Sequence, residues 1–397
     1  MLSKKIGIIT HYFRNNNYGG CLQAFALVKQ IQKMGYDVEQ ICYVSTESNL
    51  SISKKIKKSL KTNGLYYTLK ILFNLSTNRI KVFFNKFISE NEKVNIRNKA
   101  MQNFREKHIP HSKIIYYKDT IHNCKDYDTY ISGSDQVWRL YNKEIDKGYW
   151  LSFVSDASKR ISYAASISMN NIPKKNYKEI IDTLSKYSAI SVREEEGKKL
   201  LENIIKNQKN IEQTLDPTLL FTANEWSSFC AENPYKNEDY IFAYFLGNKN
   251  EDRKSVKSFA KKNNLKIITI PYLLGQYRKC DKNFGDIRLF NVDPFFFLSL
   301  IKDAKYVMTD SFHGTVYSFL FHKEFYLYKR SSDKDIKSMN SRIYSLLNLF
   351  NCKDRIVSPL NEITNETATP IDFKYIDEVL EAQRKKSKNF LSEALNN

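Results

Sequence analysis

The sequence predicts an α/β protein built as two domains that face each other across a cleft. Three observations carry that expectation. Short apolar runs alternate with stretches of helical spacing along most of the chain, a basic stretch over 51–110 interrupts the alternation before it resumes at 127, and a second series opens after "CAENPYKNEDY". At 397 residues the chain is also long for a single core.

"KKIGIIT" (4–10) reads as a strand, and a polar, Asn-rich loop, "HYFRNNNYGG", follows it. From Cys21 to Met34 the apolar residues Leu22, Phe25, Val28, Ile31 and Met34 recur at three-residue steps, and Gly35 marks a stop, so a helix is expected there. "YDVEQICYV" (36–44) is the next strand, which makes a βαβ unit and therefore a parallel sheet. The sheet is expected to resume at 127–135, 160–168 and 188–197, with "TLDPTLLF" (214–221) closing the first half. A second series follows, with a strand at 240–247, a polar helix at 250–263 and a strand at 265–273. "NVDPFFFLSLIKDA" reads as a helix capped by Asp293 with Pro294 in its first turn, and "KYVMTD" as a strand that leads into a helix from His313. The tail from Asp372 is expected as a charged helix that packs back on the first domain. The division is thus 1–235 with a helical insert at 51–110, 236–371, and a returning helix at 372–397.

Composition narrows the function classes. Apolar residues at 42% and aromatics at 14% are enough to bury real cores, which excludes a disordered chain. The apolar run at the start stops at His11, too early for a signal peptide, and no stretch approaches the ~18 apolar residues of a spanning helix. Six scattered cysteines without zinc spacing argue for reduced thiols in a cytoplasmic chain, and against a metal. The net charge is 63 − 43 = +20, and 51–110 alone carries 14 Lys/Arg against 3 acids. No nucleic-acid partner is expected, because no helix-turn-helix, zinc module or aromatic RNA motif is legible. The basic stretch reads either as covering helices with a solvated face or as a surface for anionic lipid, since Lys and Arg flank Leu, Phe and Ile.

Five stretches, in order, resemble the polysaccharide pyruvyl transferase family. They are "NNNYGGCLQAFAL", "YISGSDQVW", "ISYAASIS", "ISVREEEG" with "LDPTLL", and "TDSFHGTVYSFLF", followed by "NSRIYSLLNLFNCKDRIV". The resemblance implies a fold like the two-domain GT-B glycosyltransferases. It implies transfer of pyruvate from phosphoenolpyruvate to a sugar of a surface polysaccharide or its lipid-linked precursor, where two hydroxyls end up bridged as a ketal. Phosphoenolpyruvate is then a co-substrate and no further cofactor is expected; a lipid-linked acceptor would place the enzyme at the inner face of the membrane. A GT-B-type glycosyltransferase using a nucleotide sugar is the alternative. Against it, Glu324 is the only glutamate between Glu251 and Glu362, so the spaced pair seen in many such enzymes is absent.

A small, highly anionic donor calls for cations and helix N-termini, and ketal formation calls for an acid and a base. His313 follows a strand and opens a helix, where it is read as general acid or anion donor; a helix cap or a core hydrogen bond is the alternative. Gly314 lets backbone approach an anion, with its amide and that of Thr315 expected to point at it. Arg193 lies where the family uses an arginine for the donor, against the alternative of a salt bridge to Glu194. Arg342 is a second, weaker cation and Lys329–Arg330 weaker still. Ser311 stands where some members have an arginine, so one donor cation is either missing or supplied from elsewhere, with Arg342 the candidate. Asn17, Tyr18, Gly19 and Gly20 are read as a loop lining the cleft, with His11 in the same loop. Asp135 is a candidate base or hydroxyl-orienting group with Gln136 beside it, or else an ordinary helix cap. Trp138 is expected in the core and Asp216-Pro217 in a turn.

Overall fold

The computed structural model describes residues 4–45, 88–116, 126–140, 144–206, 208–274, 277–331, 340–358, 361, 363 and 367–396. The first half runs β1 (Lys5–Ile9), α1 (Tyr18–Lys33), β2 (Asp37–Val44), α2 (Ile88–His108), β3 (His111–Tyr116) and β4 (Thr129–Ser132). It continues with β5 (Arg160–Ala165), α3 (Tyr177–Leu184), β6 (Ala189–Val192), α4 (Glu195–Ile205), β7 (Glu212–Gln213) and α5 (Ala223–Ser227). The second half runs β8 (Tyr240–Tyr244), α6 (Asn250–Lys262), β9 (Lys266–Thr269), β10 (Ile287–Arg288), α7 (Pro294–Lys302) and β11 (Tyr306–Thr309). Then come α8 (Phe312–Leu320), β12 (Glu324–Tyr328), α9 (Ser341–Leu349), β13 (Ile356–Val357) and α10 (Phe373–Asn396).

The strands form two parallel sheets of the same design, in the orders β3-β2-β1-β4-β5-β6-β7 and β10-β9-β8-β11-β12-β13. These are two Rossmann-like halves. The central strands are buried on both faces, as the neighbours Ile8 and Ile9, Tyr130 and Ile131, Ile241 and Phe242, and Val307 and Met308 show, so they read as continuous apolar runs. In each sheet the order reverses at one point, between β1 and β4 and between β8 and β11, and ligands bind outside the carboxyl ends of strands there. Asp310, directly after β11, is fully buried and accepts the amides of Leu246 (2.7 Å) and Gly247 (2.6 Å). It ties the loops after β8 and β11 together, which explains why the strand ends in an acid.

The halves share one interior. A single apolar cluster takes in Ile6 and Leu22, Trp226, Phe242 and Phe297, and Leu391 of α10. The Tyr18 hydroxyl donates to the Val292 carbonyl at 3.0 Å, and its ring stacks on Phe297 at 4.4 Å. Helix α10 returns to the first sheet, where Arg384 Nε donates to the Leu219 carbonyl at 2.8 Å and Ser387 Oγ accepts the Leu215 amide at 3.0 Å.

Two local expectations are corrected. Helix α1 begins at Tyr18 rather than Cys21, because the Asn17 side chain accepts the Gly19 amide at 3.0 Å and caps it. The 214–221 stretch is no strand: Asp216 accepts the Thr218 amide at 3.0 Å and caps a 3-10 turn, Pro217–Leu220. Most of the basic stretch, residues 51–87, lies outside the described residues, so the lipid-surface reading has no structural counterpart. No helix among the described residues is long and apolar enough to cross a membrane.

One buried acid offers a test of the core. Asp252, in the first turn of α6, is buried, and neither carboxylate oxygen has a hydrogen-bond partner among the described residues. Burial pushes its pKa from 3.8 up to about 6, and Asp310 adds to the rise. The folded state therefore holds this proton more tightly than the unfolded chain. The stability it contributes is complete at low pH and is lost as pH rises to about 6. Asp252→Asn is expected to stabilise the protein at pH 7.5 by on the order of 1–3 kcal/mol and by much less below pH 5, as urea unfolding at the two pH values would read.

Candidate active site

The site grows around one carboxylate, Asp216. Its Oδ2 accepts Arg193 Nη1 at 2.7 Å and Ser134 Oγ at 3.1 Å, and its Oδ1 accepts the Thr218 hydroxyl at 2.7 Å. His313 Nε2 of the second half lies 3.7 Å from the same Oδ2. Burial alone would raise its pKa, yet His313 and Arg193 hold it far below the usual carboxylate range. Asp216 therefore joins the two halves electrostatically, bringing Arg193 and His313 onto one atom.

Three guanidinium groups gather at this point. Arg193 is buried, with Nε on Glu194 Oε1 at 2.9 Å and Nη1 on Asp216, so the salt bridge to Glu194 exists and most of its charge is met. Its guanidinium also lies 4.5 Å from the centre of the Phe312 ring, and that of Arg342 lies 5.6 Å from the same ring. Arg342 is buried without an ion pair among the described residues. Burial, with repulsion from Arg330 and Arg193, lowers its pKa to about 10. Arg330 Nη2 sits 3.5 Å from Asp310 Oδ1 and donates to the Asp310 carbonyl at 3.0 Å. The cations that surround α8 thus come from the segments after β6 and β12 and from α9. Ser311 makes no charge here; its hydroxyl accepts the Gly314 amide at 3.3 Å and caps the helix.

That capping corrects the expectation for Gly314 and Thr315. The Gly314 amide is taken by Ser311 Oγ and the Thr315 amide by the Ser311 carbonyl at 3.0 Å, so neither points at a ligand. Gly314 is required for packing instead, because a methyl carbon there would fall 2.9 Å from Thr309 Oγ1. The amides of Phe312 and His313, at the helix's first positions, are the ones without an acceptor inside the helix.

Gly19 and Gly20 sit in the first turn of α1, and a methyl group on Gly19 would overlap the His313 ring. A glycine here lets the first half touch the imidazole directly. At Gly20 the same carbon would lie 2.7 Å from the His11 carbonyl. Asn17 is the cap of α1, and Tyr18 is buried between the halves rather than lining the crevice. His11 packs edge-on against Tyr149 at 4.4 Å; burial lowers its pKa against the pull of Asp135 and Asp146.

Asp135 ends the loop after β4 with a left-handed φ of 70°, and its carboxylate acts on the charges of Arg193, Arg342 and His11. No helix follows it, so it is not a helix cap. Ala164 (50°) and Ser168 (48°) share the left-handed conformation nearby, a cost that non-glycine residues bear chiefly where the surroundings impose it. Gln136 Nε2 donates to Ser168 Oγ at 2.9 Å and holds this wall in place. Trp138 is a core residue, stacked on Trp150 at 4.6 Å.

Fold and site together define a two-domain, GT-B-like α/β protein with its charged groups at the carboxyl ends of strands from both sheets. The chain belongs to the polysaccharide pyruvyl transferase family, whose sequence model matches residues 17–332, and it is a transferase of polysaccharide biosynthesis. No curated protein matches the chain in sequence. Among solved structures, a putative UDP-N-acetylglucosamine 2-epimerase from Listeria monocytogenes superposes with a TM-score of 0.50 at 10% identity, over 99% of this chain and 92% of that one. The UDP-N-acetylglucosamine 2-epimerase of Rickettsia bellii gives 0.48 at 9%, over 100% of this chain and 98% of that one. The first of these likenesses supports the fold and nothing more.

Proposed function

We propose that this transferase takes pyruvate from phosphoenolpyruvate and sets it as a ketal on a sugar of a surface polysaccharide or its lipid-linked precursor. One observation carries the reading. Four buried donor atoms around the entrance of α8, Arg193 Nη2, Arg330 Nε, Arg342 Nε and His313 Nε2, have no hydrogen-bond partner among the described residues. Unpaired buried donors are costly, and a compact anion placed among them would satisfy several at once.

In this reading the arginines hold the phosphate and carboxylate of the donor. Protonated His313, placed by Gly19 and Asp216, gives its proton to the methylene carbon, and the neighbouring carbon becomes an oxocarbenium centre. A sugar hydroxyl adds there as Asp135 takes its proton. The second hydroxyl then displaces phosphate, which leaves carrying that hydroxyl's proton, and the proton on Asp135 returns to His313, so that donor and diol yield ketal and inorganic phosphate. The buried guanidinium groups act on charge that develops away from water, where such interactions are strongest.

Ligand-dependent melting tests the donor, since only a ligand of the folded state stabilises it. Phosphoenolpyruvate is expected to raise the melting temperature, and Arg342→Gln to weaken that binding about tenfold or more, a lost charged hydrogen bond being worth ~1.5–3 kcal/mol. Phosphate release should then require a sugar acceptor. A nucleotide sugar that raises the melting temperature where phosphoenolpyruvate does not would make this chain a glycosyltransferase.

A further inference from the structure

Arg97, on α2, is 4% exposed and forms no ion pair among the described residues. Of the other buried arginines only Arg160 and Arg342 share this among the described residues, and the rest are paired. Arg193 has Glu194 and Asp216, Arg253 has Asp281, and Arg355 has Glu324. Arg97 Nη2 reaches the Asn16 carbonyl only at 3.5 Å, and Nε and Nη1 have no partner. The guanidinium lies 3.6 Å from the centre of the Tyr18 ring. A cation–π contact of that kind offsets only part of the cost of an unpaired buried ion. Burial lowers its pKa to about 10, and the ionisable group beside it is the Tyr244 phenol.

Its neighbours give its place. Asn16 belongs to the loop after β1, Tyr18 opens α1, and Tyr244 ends β8. Arg97 therefore stands where the carboxyl ends of the two central strands face each other. The residue after Tyr18 is Gly19, which touches His313, so this position adjoins the site above. Arg97 and Arg330 both act on the Tyr244 phenol, so the two positions adjoin in charge as well as in space.

Resting on the acceptor of the proposed function, we propose that Arg97 forms a second anion subsite between the facing strand ends, which takes a phosphate or diphosphate group carried by that acceptor. A buried cation with two unmet nitrogens fits an oxyanion of that class. The subsite does not depend on phosphoenolpyruvate being the donor.

Thermal melting of the full chain with inorganic pyrophosphate and, separately, phosphoenolpyruvate tests this, with Arg97→Met and Arg97→Lys as variants. Pyrophosphate is expected to raise the wild-type melting temperature. Arg97→Met should bind it at least tenfold more weakly, keep its response to phosphoenolpyruvate, and melt no lower than wild type without ligand, because it removes an uncompensated charge. Arg97→Lys should bind pyrophosphate with intermediate strength. The proposal fails if pyrophosphate leaves wild type unshifted, or shifts both variants as it shifts wild type. It fails equally if Arg97→Met loses the phosphoenolpyruvate response as well, which would make Arg97 part of the donor site. If Arg97→Met does not fold, Arg97→Lys decides alone, and wild-type affinity in it overturns the subsite. Failure of phosphoenolpyruvate to shift wild type would count against the donor reading only.

Discussion

Replacement of His313 by alanine is expected to lower turnover by about 10²–10⁴-fold, the usual contribution of a positioned proton donor. Stability should change little. The Nε2 atom makes no hydrogen bond among the described residues, and Asp216 keeps Arg193, Ser134 and Thr218 when the ring is gone. Donor binding should survive as well, because the three arginines remain. Phosphate release measured beside ligand-dependent melting separates the two effects. Turnover near wild type would mean that the proton comes from another group.

Gly19→Ala is expected to cost as much activity without touching any chemical group. Its methyl would occupy the space of the imidazole, so either the ring turns away from Asp216 or the halves are forced apart. In the first case turnover falls by about 10²-fold or more, as misplacement of a reacting group does. In the second the melting temperature falls too. Combination with His313→Ala distinguishes this clash from general damage: the pair should be no less active than either single variant, with the lost stability restored. Unchanged turnover in Gly19→Ala would show that α1 does not set the imidazole.

Much of this was readable from residue order. The alternation of apolar runs and helical spacing carried both sheets, because strands buried on both faces must be apolar throughout. Asp293 and Pro294 marked the start of α7, and His313 was placed at a strand's carboxyl end before a helix. What escaped were contacts between residues far apart in sequence. Asp216 looked like a turn former and is one, yet its second oxygen serves Arg193 and His313 from two other elements. The "LDPT" motif was the available signal, and only proximity gives it a role in the site. Arg330 ranks below Arg342 in the sequence, yet the fold brings it to Asp310 at the end of β11. The expectation for Gly314 and Thr315 failed because Ser311 competes for their amides as cap and helical acceptor. Tyr18 belongs to the helix rather than the loop because Asn17 caps α1, a role its side chain reveals only through the Gly19 amide.

The apolar interior that runs from Ile6 through Phe297 to Leu391 also governs how the molecule comes apart. A half that unfolded alone would strip its partner of the surface it packs on, so neither gains by leaving first. Heating should therefore give a single endotherm rather than two, and a lesion in either half would lower the same transition.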